Sequence, residues 1–288
     1  MTMFSRRSFL KTAGAATTIA CAGADRLAAR APRRPVGLQL YSVRNLLPKD
    51  FDGTLSEVHG AGYSVVEAAG FFDHTAADVR KSMDAAGLRC VSAHYTLSLL
   101  ETQLDSILDY AKTLGLEYIV CSSSGGMHRD PAAKGDPTLD DWRWIAGEFN
   151  RIGEKVKAAG LSLGIHNHTP EFATIDGTLV YGELLKLTDP RLVAFEMDCG
   201  WVWASGHNPV DYLSKTPERF PLLHIKDMVR GTDGKIKMTV LGKGSIDYAP
   251  ILRAATAAKY YFVEQEQFDI EPIEELKLDA AYMRRLKA

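Results

Sequence analysis

Four times between residues 51 and 166 of this chain, an amphipathic stretch stops at a glycine, and a short apolar run follows that exits onto polar residues. The glycines are Gly62, Gly87, Gly115 and Gly160, each where a helix needs a left-handed residue to end. The runs after them, 63–68, 88–93, 116–121 and 161–166, read as strands, and 36–41 reads as an earlier one. Helices are expected over 51–59, from Thr75 to Gly87, over 100–114 and over 140–159, with Asp78 facing the Thr75 cap. Further strands start near Val193, Leu222 and Tyr261, which makes eight. Helices between successive strands demand parallel crossovers. Eight such units predict an α/β fold, a single (β/α)8 barrel. An open doubly wound sheet is the alternative. It is weakened because no glycine-rich dinucleotide loop follows the first strand, and no nucleotide cofactor is expected.

The N-terminus does not belong to this pattern. Ser5-Arg-Arg-Ser-Phe-Leu-Lys11 is a charged head, followed by an apolar stretch of small residues and a cleavage site such as Ala22-Gly23-Ala24. Its paired arginines, Phe9-Leu10 and Lys11 resemble a twin-arginine export signal. Residues 1–31 are therefore expected to be a signal peptide and short linker, with residues 32–288 as the barrel domain in the periplasm. Cys21 as a lipid anchor is a lesser alternative, because Thr18 stands where a lipobox has Leu. Cys90, Cys121 and Cys199, an odd number in or beside apolar runs, read as core thiols. A net charge of −2 in 288 residues opposes a nucleic-acid partner. No apolar run is long enough for a membrane span. The composition is compatible with a homo-oligomer.

In a barrel of this kind the working face is built from the loops after the strands. Position alone therefore selects Tyr41, Glu67, His94, the 122–136 loop, His166, His168, Glu171, Asp198, His224, Lys226, Glu264 and Glu266. Asp198, His224 and Glu264 come from three different strand exits. Converging, they make an oxygen–nitrogen site suited to Mn²⁺, Mg²⁺, Co²⁺ or Zn²⁺. Taken singly, Asp198 can cap the next helix, His224 can be a satisfied core residue, and Glu264 can pair with Lys226.

Ile165-His-Asn-His-Thr-Pro-Glu-Phe172, Glu196-Met-Asp-Cys-Gly-Trp-Val-Trp203, His224-Ile-Lys-Asp227, Leu241-Gly-Lys-Gly-Ser-Ile-Asp247 and Val263-Glu-Gln-Glu266 resemble the sugar phosphate isomerase/epimerase group. That group lies within the xylose isomerase-like barrel superfamily, and the likeness runs from about Pro35 to the C-terminus. The resemblance implies a divalent metal on Asp198, His224 and Glu264. The strand-five position, a second acid/base glutamate in epimerases, reads His166 here, so His166, His168 or Glu171 must supply the fourth ligand or second proton.

It also implies proton abstraction beside a sugar carbonyl, with Glu264 as first base and Glu171, His166 or His168 for the second proton. Lys226 holds an anionic oxygen or serves as a salt-bridge partner. Trp201 and Trp203 stack on a sugar or simply pack, and Glu67 and His94 bind hydroxyls or brace the barrel top. The Gly242-Lys-Gly244 amides are a weak anion site.

Because a twin-arginine substrate crosses folded, its metal can be loaded before export, which favours Mn²⁺ over tighter-binding Cu²⁺ or Zn²⁺. The leading expectation is a metal-dependent isomerase or epimerase of a sugar or keto-sugar. Alternatives are a lyase of 3-keto-glycosides, favoured by the missing glutamate and the periplasmic address, and a non-catalytic sugar binder. A metal-dependent endonuclease is opposed by charge and export.

Overall fold

The computed structural model describes residues 35–124, 127–130 and 132–286. The export signal and the Cys21 anchor considered for residues 1–31 lie outside them. The strands are β1 (Val36–Gln39), β2 (Val65–Ala68), β3 (Arg89–Thr96), β4 (Tyr118–Ser123), β5 (Ser162–His166), β6 (Val193–Asp198), β7 (Leu222–Ile225) and β8 (Tyr260–Val263). Each pairs in parallel with the next, and β8 returns to β1, closing the barrel. The expected fold class is the one observed.

Between the strands run α1 (Phe51–Ala61), α2 (Ala76–Ala86), α3 (Leu97–Thr102), α4 (Leu104–Leu114), α5 (Leu139–Ala158), α6 (Val180–Leu187), α7 (Cys199–Ala204), α8 (Pro209–Lys215) and α9 (Tyr248–Ala254), with α10 (Pro272–Arg285) after β8. Gly62, Gly87, Gly115 and Gly160 all have positive φ, as four helix stops require. Thr75 caps α2 through the Asp78 amide, and Thr138 with Asp141 forms a full capping box on α5. The single helix expected over 100–114 is two helices. β3 continues to Thr96, whose hydroxyl caps α3 early, and Gln103, at φ −131°, separates α3 from α4.

Two apolar layers hold the barrel. The larger lies between strands and helices and includes Cys90, Cys121 and Cys199, all buried and free. The smaller consists only of strand residues, among them Val65, Val120, Leu222 and Phe262, and fills the bore. Phe262 lies across Gly37, where an added Cβ would stand 2.6 Å from its ring, so that position has room only for glycine. This plug is the floor on which the polar residues at the strand exits rest. No helix among the described residues is long and apolar enough to cross a membrane.

The loop after β7 is organised by Asp227 rather than by a bound anion. Its carboxylate accepts hydrogen bonds from the Gly242 and Gly244 amides, both at 2.9 Å, and from Ile246 at 3.2 Å. The anion site read from Gly242-Lys-Gly244 is thereby corrected: those two amides are already taken by a carboxylate.

Nearby, Asp279 is fully buried, accepts one bond from the Leu241 amide and leaves Oδ2 without a partner. Burial, reinforced by Glu275 and Asp227, pushes its carboxyl from 3.8 up to about 7. The folded state therefore keeps a proton that the unfolded chain has released. This contribution to stability is complete below pH 3.8 and is lost as pH rises through 7. Asp279→Asn should match wild type in Tm at pH 4. At pH 8 it should melt higher, by roughly 2–4 °C per kcal/mol recovered. Equal melting curves at both pH values would contradict this.

Candidate metal centre

Alternation along a strand places Glu196 and Asp198 on the same side of β6, with Glu196 one step deeper. The same spacing pairs Glu264 with Glu266 beyond β8 and His166 with His168 at the exit of β5. His224 on β7 stands 6.1 Å from the Phe262 ring of the bore plug. Glu67, Glu196, Asp198, His224 and Lys226 are all fully buried, a costly location for charge that only mutual pairing sustains.

The deeper tier consists of two carboxylates beneath three imidazoles. Glu67 Oε1 accepts from Gln39 Nε2 at 2.8 Å and lies 2.8 Å from His94 Nε2 and 2.7 Å from His224 Nε2. Glu196 Oε2 lies 2.7 Å from His94 Nε2, 3.0 Å from His166 Nδ1 and 3.1 Å from His224 Nε2. Burial opposes charge on His94, but Glu67 and Glu196 overcome it and raise the ring to about 9.

In the upper tier His224 Nδ1 is 2.9 Å from Glu264 Oε2. Asp198 Oδ2 lies 3.9 Å from that nitrogen and 3.8 Å from His166 Nε2. The Lys226 ammonium sits 2.6 Å from Glu264, 2.8 Å from Asp198 and 2.9 Å from Glu266. Burial alone would neutralise Glu264, yet Lys226 and His224 hold its carboxyl well below the usual range.

The residues present fit a divalent cation. One donor atom each from His166, Asp198, His224 and Glu264 falls within 4.8 Å of all the others, and Asp198 Oδ2 and Glu264 Oε2 share the Lys226 ammonium as their cationic partner, at 2.8 and 2.6 Å. Two carboxylates and two imidazoles without thiolate suit Mn²⁺, Zn²⁺ or a similar ion. The other Asp198 oxygen caps α7 through the Trp201 amide at 2.9 Å, so capping and clustering coexist in one side chain.

A cavity of about 340 Å³ opens above the upper tier. His94, His166, His168, Glu264 and Glu266 form its polar wall, and Tyr41, Tyr95 and Leu99 line its apolar side. Two carboxylates of the upper tier reach this cavity, Glu264 and Glu266, both from the exit of β8. The His168 ring lies 4.7 Å from that of His166, and burial followed by the Lys226 charge lowers it to about 4, so it is neutral at pH 7.

Other positions singled out from the sequence lie elsewhere. Glu67 is not on the cavity wall but beneath it. Glu171 is buried and turned back to the His168 amide at 2.8 Å. Trp201 stands beside the cluster, its ring 5.2 Å from Lys226 Nζ and 6.0 Å from His168. Trp203 faces away and carries Arg230 at 5.6 Å. Sequence reasoning passed over Glu196 because it sits inside a run that reads as apolar. Its signal was available: a glutamate within a buried strand, two residues before Asp198, must share that residue's face.

A closed parallel barrel with a carboxylate–imidazole cluster at the C-terminal mouth of its strands defines a TIM barrel with a candidate metal centre at the catalytic end. The chain belongs to the xylose isomerase-like TIM barrel family, which it matches over residues 55–286. It is 26% identical over 247 aligned residues to inosose dehydratase of Clostridium botulinum, covering 75% of this chain and 82% of that protein. A sugar phosphate isomerase/epimerase from Parabacteroides distasonis superposes with a TM-score of 0.74 at 27% identity, over 90% of this chain and 96% of that one. The 3-keto-D-glucoside 4-epimerase YcjR of E. coli shares the fold, with a TM-score of 0.67 at 17% identity, over 87% of this chain and 99% of that one.

Proposed function

We propose that this protein is a divalent-metal-dependent enzyme that removes the proton beside the carbonyl of a keto-sugar and expels the substituent on the adjoining carbon. One observation carries the choice of elimination: the two carboxylates that line the cavity, Glu264 and Glu266, both leave the exit of β8 and both lie within 2.9 Å of the one Lys226 ammonium, so they stand on the same side of it. Epimerisation requires a proton to leave one face and return on the other. The strand-five position where epimerases keep a second glutamate holds His166, whose Nδ1 is bound to Glu196 at 3.0 Å and whose Nε2 faces the cluster, 3.8 Å from Asp198. Elimination requires one base and one proton donor for the leaving oxygen.

His166, Asp198, His224 and Glu264 would hold the cation, which supplies Lewis-acid polarisation of the carbonyl and offsets the charge developing there. Glu264 accepts the proton as the C–H bond breaks. The electron pair forms the new C=C bond while the adjoining C–O bond breaks, and Glu264 passes the proton it has taken to the departing oxygen, with the N–H of neutral His168 on the cavity wall hydrogen-bonding to that oxygen. The Lys226 ammonium, 2.6 Å from Glu264 as well as 2.8 Å from Asp198 and 2.9 Å from Glu266, keeps Glu264 ionised. No Arg or Lys is among the described residues lining the cavity, which supports an unphosphorylated substrate. The relatives named as dehydratases perform, by that name, an elimination.

The second reading, epimerisation, draws on His168, a neutral imidazole lining the cavity and able to accept a proton, and on the isomerase/epimerase relative. Chromatography of a 3-keto-glycoside incubated with metal-loaded protein separates the two. Free aglycone is expected; an epimer that keeps its aglycone would overturn elimination in favour of the second reading.

A further inference from the structure

Glu196 Oε2 is the one atom among the described residues that lies within 3.1 Å of a ring nitrogen of His94, His166 and His224 together. Two of those rings belong to the upper cluster, and in both the nitrogen facing Glu196 is not the one facing Asp198. His166 meets Glu196 through Nδ1 and Asp198 through Nε2. His224 meets Glu196 and Glu67 through Nε2, and Asp198 and Glu264 through Nδ1. A neutral imidazole has one N–H and one lone pair. A fully buried carboxylate cannot be left facing a lone pair, so His166, whose Nε2 is 3.8 Å from Asp198, carries its N–H on Nδ1 toward Glu196, while His224, with carboxylates at both nitrogens, keeps an N–H on Nε2 toward the floor and another on Nδ1 toward Glu264.

From this geometry we infer that Glu196 is a positioning residue: it fixes His166 in the tautomer that aims Nε2, as a lone pair, at a cation held with Asp198, His224 and Glu264, and it keeps the Nε2–H of His224 on the floor side of the ring. This rests on the metal-dependent reading above and adds to it the residue that makes His166 a competent ligand. Glu67 assists from one side only, since it reaches His94 and His224 but not His166. Gln39 in turn pins Glu67, donating to its Oε1 at 2.8 Å, so the floor is held independently of any ligand. The rival reading is a second metal ion in the deeper tier, where His94, His166, Glu196 and His224 also bring donor atoms within 4.8 Å of one another. It is less economical, because His166 and His224 would each have to bind one ion through either nitrogen and lose both ring protons. The short contacts there are already those of imidazole N–H groups donating to carboxylates.

Two measurements on the full-length protein test the assignment. In metal-free wild type, ¹⁵N NMR of the histidine rings, with His166 assigned by its loss in His166→Gln, should show His166 protonated at Nδ1. An Nε2–H ring would overturn the assignment without recourse to any further variant. Calorimetric titration with Mn²⁺ should give one ion per chain in wild type. In Glu196→Gln the affinity should fall by about 10–100-fold, as losses of residues behind metal ligands do, with the folded circular-dichroism signal retained. Glu67→Gln should leave the His166 tautomer as in wild type.

Unchanged affinity in a folded Glu196→Gln would refute positioning while leaving the metal reading intact. Two ions in wild type, reduced to one in Glu196→Gln, would make Glu196 a direct ligand. No ion in wild type would overturn both readings.

Discussion

Glu264→Gln should retain the fold and lose about 10²–10⁴-fold in kcat when assayed at saturating metal, the usual contribution of a positioned general base. Glu264 is a clustered carboxylate that lines the cavity, and Lys226 and His224 keep it ionised against its burial. The amide keeps the shape of the side chain and can still offer one oxygen to a cation, but it cannot accept a proton. The expected signature is therefore a collapse in kcat with a much smaller change in metal affinity. Should the variant keep full turnover, Glu264 is not the base. His168 on the same wall would then be the next residue to replace.

Removal of the metal should be as severe. After chelation and dialysis, turnover should fall by about 10²–10⁴-fold, the equivalent of the several kcal/mol that Lewis-acid stabilisation provides. Added Mn²⁺ should restore it. Binding should also register as stability, because the four ligands come together only in the folded chain. At a hundred times Kd the gain is about 2.7 kcal/mol, which corresponds to a rise of roughly 5–11 °C in Tm for a domain of this size. In the metal-free protein the Lys226 ammonium counters part of the cluster's negative charge, so apo protein is expected to stay folded. Activity that survives complete chelation would contradict the metal's role, whatever the Tm does.

The barrel was legible because its signals are local and repeated. A glycine at each of four helix stops and Thr75 at the start of α2 report backbone requirements that hold in any context. Asp198, His224 and Glu264 were legible for a related reason: a charged residue just after a buried strand has few places to go. What could not be read was direction and depth. Glu171 follows His168 in the same β5 exit, but its carboxylate turns back to accept from the His168 amide. Trp203 follows Trp201 by two residues on α7 and faces the other way, towards Arg230. Asp227 follows Lys226 immediately, yet it gathers the amides of a loop that the sequence suggested was open to an anion. Glu196 lies below the working face, and only the closed barrel shows that three histidines from three strands share its oxygen.

Proton abstraction beside a carbonyl is the central claim, and solvent exchange tests it most directly. Metal-loaded protein should be incubated with a 3-keto-glycoside in D₂O and followed by proton NMR. The signal of the hydrogen on the carbon next to the carbonyl should disappear, with the unsaturated sugar and free aglycone growing in its place. The same sample made with Glu264→Gln should change at a rate lower by about 10²–10⁴-fold. A keto-sugar that is bound by the protein, yet keeps that hydrogen through prolonged incubation, would contradict the account and leave a binding protein in place of an enzyme.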